Sequence, residues 1–334
     1  MTENGAVKVL IIKLSALGDV ILATPFVKTI QRQHAGAEIH LMTTPPYAGM
    51  FEDWPGLQVD VFRRNGFFAF WRAVLWMRRQ RFDVCYELQA NGRTGWMLRL
   101  CRIPRVVSSR IGFPATHHPL LPYRREVHIF DRLNEVMLAA GLPAAEPRPW
   151  LPVSRAGSEK VQAWLAKHQL SGQRFVLMHA HASVRWQSKI WPHFGRLAEA
   201  LEARGYRVVW AGAGSDAEGN RVLSRTAGID ATNQFSINEL VELARHSRFA
   251  LTNDSGPMHV FSCSGIPVYA FFGPTKWTQS HALGQQGRVL THPVECSPCF
   301  LPQCPPARGH ACLALLSAEQ VMARLVGDGM VEAG

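Results

Sequence analysis

Val7-Lys-Val-Leu-Ile-Ile12-Lys13-Leu-Ser15-Ala-Leu-Gly18-Asp19-Val20 is the stretch on which the fold class turns. Val7–Ile12 is a short, strongly apolar, β-branched run, the mark of a strand covered on both faces and therefore of a parallel sheet. The run ends in a tight polar turn, after which Val20, Ile21, Val27 and Ile30 recur at helical spacing. Strand, glycine turn and helix in that order open a doubly wound α/β unit, and ligands of such units lie at the carboxyl ends of the strands. Gly18 allows the turn and Asp19 opens the helix. A carboxylate at that place either serves as general base toward a hydroxyl or satisfies the free amides of the helix start.

The same alternation continues outward from this stretch. Apolar runs predict further strands at 39–42, 59–62, 82–88 and 106–108, with helices at 68–79 and 94–101. Residues 141–158 concentrate Pro, Gly and Ala without periodicity and read as a linker. Beyond them the pattern restarts, with strands at 175–179, 206–211, 249–252 and 268–272 separated by helical segments. Two Rossmann-like halves are expected, 1–150 and 151–312, facing one another across a cleft, with 313–334 as a C-terminal helix packing back on the first half.

Composition narrows the class. The 334 residues are 47% hydrophobic and 18% charged, a globular balance, and no apolar run approaches the ~20 residues of a membrane span. Glu3 and Lys8 near the start, with no apolar helix behind them, argue against a secretion leader and for a cytoplasmic protein. Lys and Arg total 36 against 25 Asp and Glu, a formal charge of +11. Ten arginines fall between Arg63 and Arg105, opposed only by Asp83 and Glu87. Guanidinium forks suit phosphate and carboxylate, so the run is either a solvated face or a surface for an anionic partner. RNA-binding aromatic signatures and zinc-finger spacings are absent, so nucleic acid is not expected.

Three further segments sit between a strand and a helix. Asn253-Asp254-Ser255-Gly256-Pro257-Met258-His259 could hold an anion on the amides of its helix start, with His259 either donating to it or packing in the core. Ala211-Gly-Ala-Gly214 is a weaker nucleotide signal. The polar loop His179–Pro192 carries the single Lys189, either a counter-charge for a departing phosphate or a surface lysine. Cys296, Cys299, Cys304 and Cys312 cluster in a proline-rich segment that serves as a rigid loop or, less simply, as a zinc tetrathiolate. With seven cysteines in all, reduced thiols are expected.

Taken jointly, LIIKLSALGDVILATPFVKTI, SKIWP and LTNDSGPMHVFSCSGIPVYAFFGPT followed by CSPCFLPQC resemble glycosyltransferase family 9, the ADP-heptose:lipopolysaccharide heptosyltransferases, over nearly the whole chain. The resemblance implies a GT-B fold and inverting transfer of heptose from ADP-heptose to a lipopolysaccharide inner-core acceptor. It makes Asp19, from the family's S-x-x-G-D segment, the general base. It puts Lys189 on the donor diphosphate and Asp254, Ser255, Gly256 and His259 at the donor phosphates and sugar, with no divalent metal or other cofactor needed. The segment before Lys189 lacks the family's frequent Pro-Gly or Gly-Thr pair. Ser183 and Arg185 are its candidates for the donor phosphates, joined by Gly214. Glu87-Leu-Gln89-Ala-Asn-Gly-Arg93 resembles the family's D-x-Q-x-x-x-[KR] segment, so Gln89, Arg93, Arg63, Arg64, Ser15 and Gly18 form the expected acceptor set. The partners implied are a nucleotide sugar, an anionic core glycolipid and, peripherally, the inner face of the inner membrane. A dinucleotide oxidoreductase is the rival enzyme class, and it lacks the G-x-G-x-x-G that the first turn would need. A non-catalytic protein binding anionic glycan or a membrane surface through the arginines is the other rival.

Overall fold

A computed structural model describes residues 6–65, 68–120 and 126–333; Glu3 lies outside them. The chain forms two compact units, Met1–Pro152 and Val153–Gly334. The first holds β1 Lys8–Ile12, β2 Glu38–Thr43, β3 Gln58–Val61, β4 Val84–Glu87 and β5 Arg105–Ser108, paired in the order β3-β2-β1-β4-β5. Every pair is parallel, with Ile12 opposite both Met42 and Glu87. Its helices are α1 Leu17–Gln33, the short α2 Pro45–Ala48, α3 Ala69–Gln80, α4 Gly92–Cys101 and α5 Ile129–Ala139. Val9 through Ile12 are fully buried, as a strand sandwiched between helix layers requires. Leu10 and Ile12 pack with Val74, Met77, Met97 and Leu98, so α3 and α4 share one face of this sheet.

Pro25 sits inside α1, where it lacks the N–H that would bond the Ile21 carbonyl. The Thr24 hydroxyl donates to that carbonyl at 2.7 Å, and Thr29 donates to the Pro25 carbonyl at 3.1 Å, so the helix continues through the proline. The sequence reading assigns no element to α5, although Phe130, Leu133, Val136 and Met137 form its buried stripe. Residues 141–152 carry no regular structure, yet they are not a loose tether. Leu142, Ala145 and Leu151 are buried, the Ala145 amide donates to Asn134, and Trp150 takes the Lys28 ammonium on its ring face at 3.7 Å.

The second unit pairs β6 Phe175–His179, β7 Arg207–Trp210, β8 Ile229–Asp230, β9 Ala250–Asn253, β10 Val268–Phe271 and β11 Val289–Leu290 in the parallel order β11-β10-β9-β6-β7-β8. Its helices are α6 Arg155–Lys167, α7 Phe194–Glu202, α8 Ala217–Ser224, α9 Ile237–His246, α10 Gly256–Ser262, α11 Trp277–Ser280, α12 Ala311–Ala314 and α13 Ala318–Gly327. The two-residue edge strands β8 and β11 are too short to show in the sequence. The C-terminal helix α13, expected to return to the first half, instead buries Val321, Met322 and Leu325 in the core of the second unit beside Leu197 and Leu201 of α7.

Both sheets reverse strand order once, between β1 and β4 in the first and between β6 and β9 in the second. Chain segments leaving neighbouring strands in opposite directions open a crevice at that place, which is where doubly wound sheets take ligands.

Candidate functional site

At the switch point of the first unit, the loops after β1 and β4 are locked together. Gln89 Oε1 accepts from the amides of Leu14 and Ser15, at 2.8 and 3.0 Å. Arg64 donates to the Ser15 hydroxyl at 2.6 Å, and Arg93 reaches the Arg64 carbonyl at 3.4 Å. Ser15, Arg64, Gln89 and Arg93 of the expected acceptor set are therefore brought together, with Gly18 and Asp19 following in the first turn of α1. Arg63 is not among them. It lines a separate cavity of about 480 Å³ with Asp60, Arg72 and Trp76.

Lys13, which the sequence reading does not single out, is 5% exposed, and its ammonium donates to the Leu88 carbonyl at 3.1 Å. Burial pushes its pKa down and the Asp19 carboxylate opposes that shift. Glu87 is buried and receives the hydroxyls of Thr94 and Ser108, the latter at 2.6 Å. Burial outweighs those donors and raises its pKa. It lines a cavity of about 260 Å³ with Trp96, Arg99, Arg110 and Phe113. Arg110 is a second residue the sequence reading misses; its guanidinium donates to the Asn91 carbonyl at 2.9 Å. Gly95 of α4 lies against it, where a Cβ would stand 2.8 Å from Arg110 Nη1.

In the second unit the loop after β6 and the turn after β9 meet at the other switch point. Lys189 Nζ lies 2.6 Å from Asp254 Oδ2, and the Thr275 hydroxyl donates to the same oxygen at 2.6 Å. Trp186 offers its ring to the Lys189 ammonium at 5.1 Å. Asn253 braces the loop, accepting from the Trp191 amide and donating to the His181 carbonyl. Ser255 stands at the N-terminal boundary of α10, with Gly256 and Pro257 its first two residues, and His259 is buried within that helix. Ser183 and Arg185 are exposed on the loop, and Gly214 begins a single 3₁₀ turn. The first glycine of Gly212-Ala-Gly214 has a packing reason: a Cβ there would stand 2.6 Å from Asn220 Nδ2.

Two features here were not legible beforehand. At the ends of β6 and β7, Asp216 faces His179 at 3.6 Å and accepts from the Ala213 amide at 2.8 Å. Burial works to raise its pKa, but His179 and that amide prevail and hold it at about 2. Second, the cysteine-rich segment grips the lysine loop. The Ser188 amide donates to the Pro302 carbonyl, the Ser188 hydroxyl to the Leu301 carbonyl at 2.6 Å, and His310 to the Ser188 carbonyl at 2.7 Å. These bonds tie the segment to its own unit. All seven cysteines are free thiols, and burial together with the neighbouring thiols lifts Cys312 to about 11. Among the described residues, no group of three or more His, Cys, Asp or Glu is arranged to hold a metal ion.

Known proteins resemble this chain in sequence and in fold. The chain is 24% identical over 328 residues to lipopolysaccharide heptosyltransferase 1 of Pseudomonas aeruginosa, covering 89% of this chain and 87% of that protein. A shorter match, 36% identical over 91 residues, covers 27% of this chain and 28% of lipooligosaccharide heptosyltransferase 2 of Campylobacter jejuni. The crystal structure of a family 9 glycosyl transferase from Veillonella parvula superposes with a TM-score of 0.82 at 21% identity, covering 99% of each chain, which makes the fold GT-B: two Rossmann-like units in tandem. The family model for glycosyltransferase family 9 (heptosyltransferase) matches residues 68–308, from the start of α3 through the cysteine-rich loop, and to that family this glycosyltransferase belongs.

Proposed function

We propose that the chain transfers heptose from ADP-heptose to a lipopolysaccharide inner-core acceptor, with inversion at the anomeric carbon. The observation that carries this reading is the Lys189–Asp254–Thr275 arrangement at the β6/β9 switch point, where an ammonium is fixed but still partly open to an anion. Lys189 meets the donor diphosphate, and Asp254 aims the lysine rather than touching phosphate itself. Ser255, Gly256 and His259 lie beside the donor's phosphates and sugar, with Ser183, Arg185 and Gly214 on the surrounding loops.

In the reaction an acceptor hydroxyl oxygen forms a bond to the anomeric carbon while the bond from that carbon to the diphosphate oxygen breaks. The hydroxyl proton passes to the Asp19 carboxylate, and the electron pair leaves with ADP. Lys189 stabilises the charge that grows on the departing diphosphate, so that no divalent cation is required. Arg64 and Arg93 hold the acidic groups of the acceptor, with Gln89 keeping the Ser15 loop in place. The name of the Pseudomonas aeruginosa relative, a lipopolysaccharide heptosyltransferase, supports heptosyl transfer to lipopolysaccharide, and the arginine-rich character of the first unit suits an anionic acceptor. The reaction belongs on the cytoplasmic side of the inner membrane, where a nucleotide sugar is at hand.

The test is release of ADP from ADP-heptose in the presence of a chelator, with and without heptose-deficient core acceptor. Release that depends on acceptor and survives chelation is expected. Transfer from a different nucleotide sugar alone, or loss of transfer on chelation, would overturn the assignment of the donor or of metal independence respectively.

A further inference from the structure

The proposed reaction uses no thiol, yet four of the chain's thiols converge beside the lysine loop. Cys296, Cys299, Cys304 and Cys312 line one cavity together with Ser188 and His310. The cavity is about 10 Å³, room for one water and no larger ligand, so any chemistry there passes between the side chains themselves. Among the described residues, no three of them are arranged to hold a metal ion. The four differ in access. Cys312 is buried, and burial with the neighbouring thiols pushes it up to about 11, so at neutral pH it stays protonated and is a poor nucleophile. The other three are half-buried, and Cys304 gives its S–H to the Pro305 carbonyl at 3.7 Å. Cys296-Ser-Pro-Cys299 has the two-residue spacing of dithiols that cycle between reduced and oxidised forms.

We infer that Cys296 and Cys299 are an oxidisable dithiol, modified by hydrogen peroxide to a disulfide that loosens the hold on Lys189. The thiolate of one attacks a peroxide oxygen: an S–O bond forms, the O–O bond breaks, and the other oxygen takes a proton and leaves as water. The second sulfur then attacks the sulfenic sulfur, the S–S bond forms, and the remaining oxygen departs as water. Two thiols lose two electrons and two protons, and one peroxide becomes two waters. The structure shows the dithiol form, with all seven cysteines free. A bridge fixes the two Cβ atoms about 3.8 Å apart, a constraint the free thiols do not impose. The turn it would tighten is already pinned, by the Ser297 hydroxyl to the Gly273 carbonyl at 2.6 Å and by the Phe300 amide to the Pro274 carbonyl at 2.7 Å. The next two carbonyls, Leu301 and Pro302, are those that hold Ser188. Strain at 296–299 therefore reaches Ser188 through these carbonyls, and Lys189 is the next residue. Only this last consequence rests on the donor role proposed for Lys189; formation of the disulfide does not.

Reduced full-length protein is treated with hydrogen peroxide, quenched, and divided between peptide mapping by mass and calorimetry with ADP. A Cys296–Cys299 cross-link, two hydrogens lighter than the dithiol, is expected. ADP affinity should fall about fivefold, the scale of one lost hydrogen bond that positions the lysine, and dithiothreitol should restore it. Cys296→Ser and Cys299→Ser, kept reduced, should bind ADP as the parent does and should not respond to peroxide, whereas Cys304→Ser should respond like the parent. Where a variant melts early, mapping of the parent and its reversal by dithiothreitol still decide the bridge. No cross-link, a bridge between another pair, or oxidation that runs on to irreversible sulfinic acid would overturn the proposal. So would a full equivalent of metal held by these sulfurs. A bridge that forms and leaves ADP affinity unchanged would overturn the coupling to Lys189. Failure of the reduced parent to bind ADP would count against the donor site instead, with the bridge still read by mass.

Discussion

Asp19 and Lys189 carry separate parts of the proposed reaction, and their losses should look different. Asp19→Asn keeps the size of the side chain and the start of α1 but cannot take a proton. Turnover should fall about 10²- to 10⁴-fold with ADP affinity unchanged in calorimetry; near-parental turnover would remove Asp19 from the mechanism. Lys189→Ala deletes the charge-assisted contact and should weaken ADP binding by about tenfold or more. It also leaves Asp254 with only the Thr275 hydroxyl, so a melting curve must accompany the binding measurement. Asp216 supplies a prediction of stability rather than activity. Its folded pKa of about 2 lies below the ordinary aspartate value, so the ionised form contributes stability that is complete above about pH 4 and is lost as pH falls through about 2. Asp216→Asn should cost about 2 kcal/mol at neutral pH, and the gap to the parent should narrow across that acid window in urea titrations. A gap that is constant with pH would show that the carboxylate's charge does not stabilise the fold.

The loop carrying Lys189 is positioned by the proline- and cysteine-rich segment as much as by its own short 3₁₀ turn. Ser188 is 4% exposed and engages that segment through its amide, its hydroxyl and its carbonyl. Ser188→Ala leaves the Leu301 carbonyl without its hydroxyl donor, which should cost about 1–3 kcal/mol of stability. Because Lys189 is the next residue, donor KM should rise while ADP-independent properties such as acceptor affinity stay put. Equal changes in both would mean that the serine supports the unit generally and does not position the lysine. Rigidity supplied by Pro298, Pro302, Pro305 and Pro306 and by these bonds accounts for the segment without a metal. Protein purified without chelator should accordingly contain far less than one zinc per chain, and a full equivalent would overturn that account.

Over the whole molecule the charge is unevenly spread, and the two kinds of arginine in the first unit should separate in solution. Arg93 belongs to the cluster built on Gln89 and Ser15 and should act by contact, whereas the exposed arginines of α3 act through a field screened over about 8 Å at physiological salt. With a micellar core acceptor, KM should rise with ionic strength, and Arg93→Ala should raise it further at every salt concentration. A KM indifferent to both would place the acceptor elsewhere.

Local order was written into the sequence wherever it depends on neighbours along the chain. Residues 9–12 and 175–178 are apolar throughout because both faces of their sheets are covered, and that pattern is visible without coordinates. The polar turns that follow the strands lie where doubly wound sheets take ligands, so Asp19, Lys189 and Asp254 could be singled out one at a time. What they touch could not. Gln89 reaches the Ser15 loop because β4 pairs with β1, and Lys189 reaches Asp254 because β9 pairs with β6. Those pairings skip intervening strands, and nothing in a local window records them. Other groups were hidden for the same reason: Lys13, Arg110 and the His179–Asp216 pair acquire their surroundings only from segments distant in sequence. Short edge strands escaped notice because two residues carry no periodicity, and α13 went to the wrong unit because an amphipathic stripe states that a face must be buried but not against what. Chemistry of the individual side chain is thus a property of the sequence, while its partner and its dielectric surroundings are properties of strand order, which only packing of the whole sheet decides.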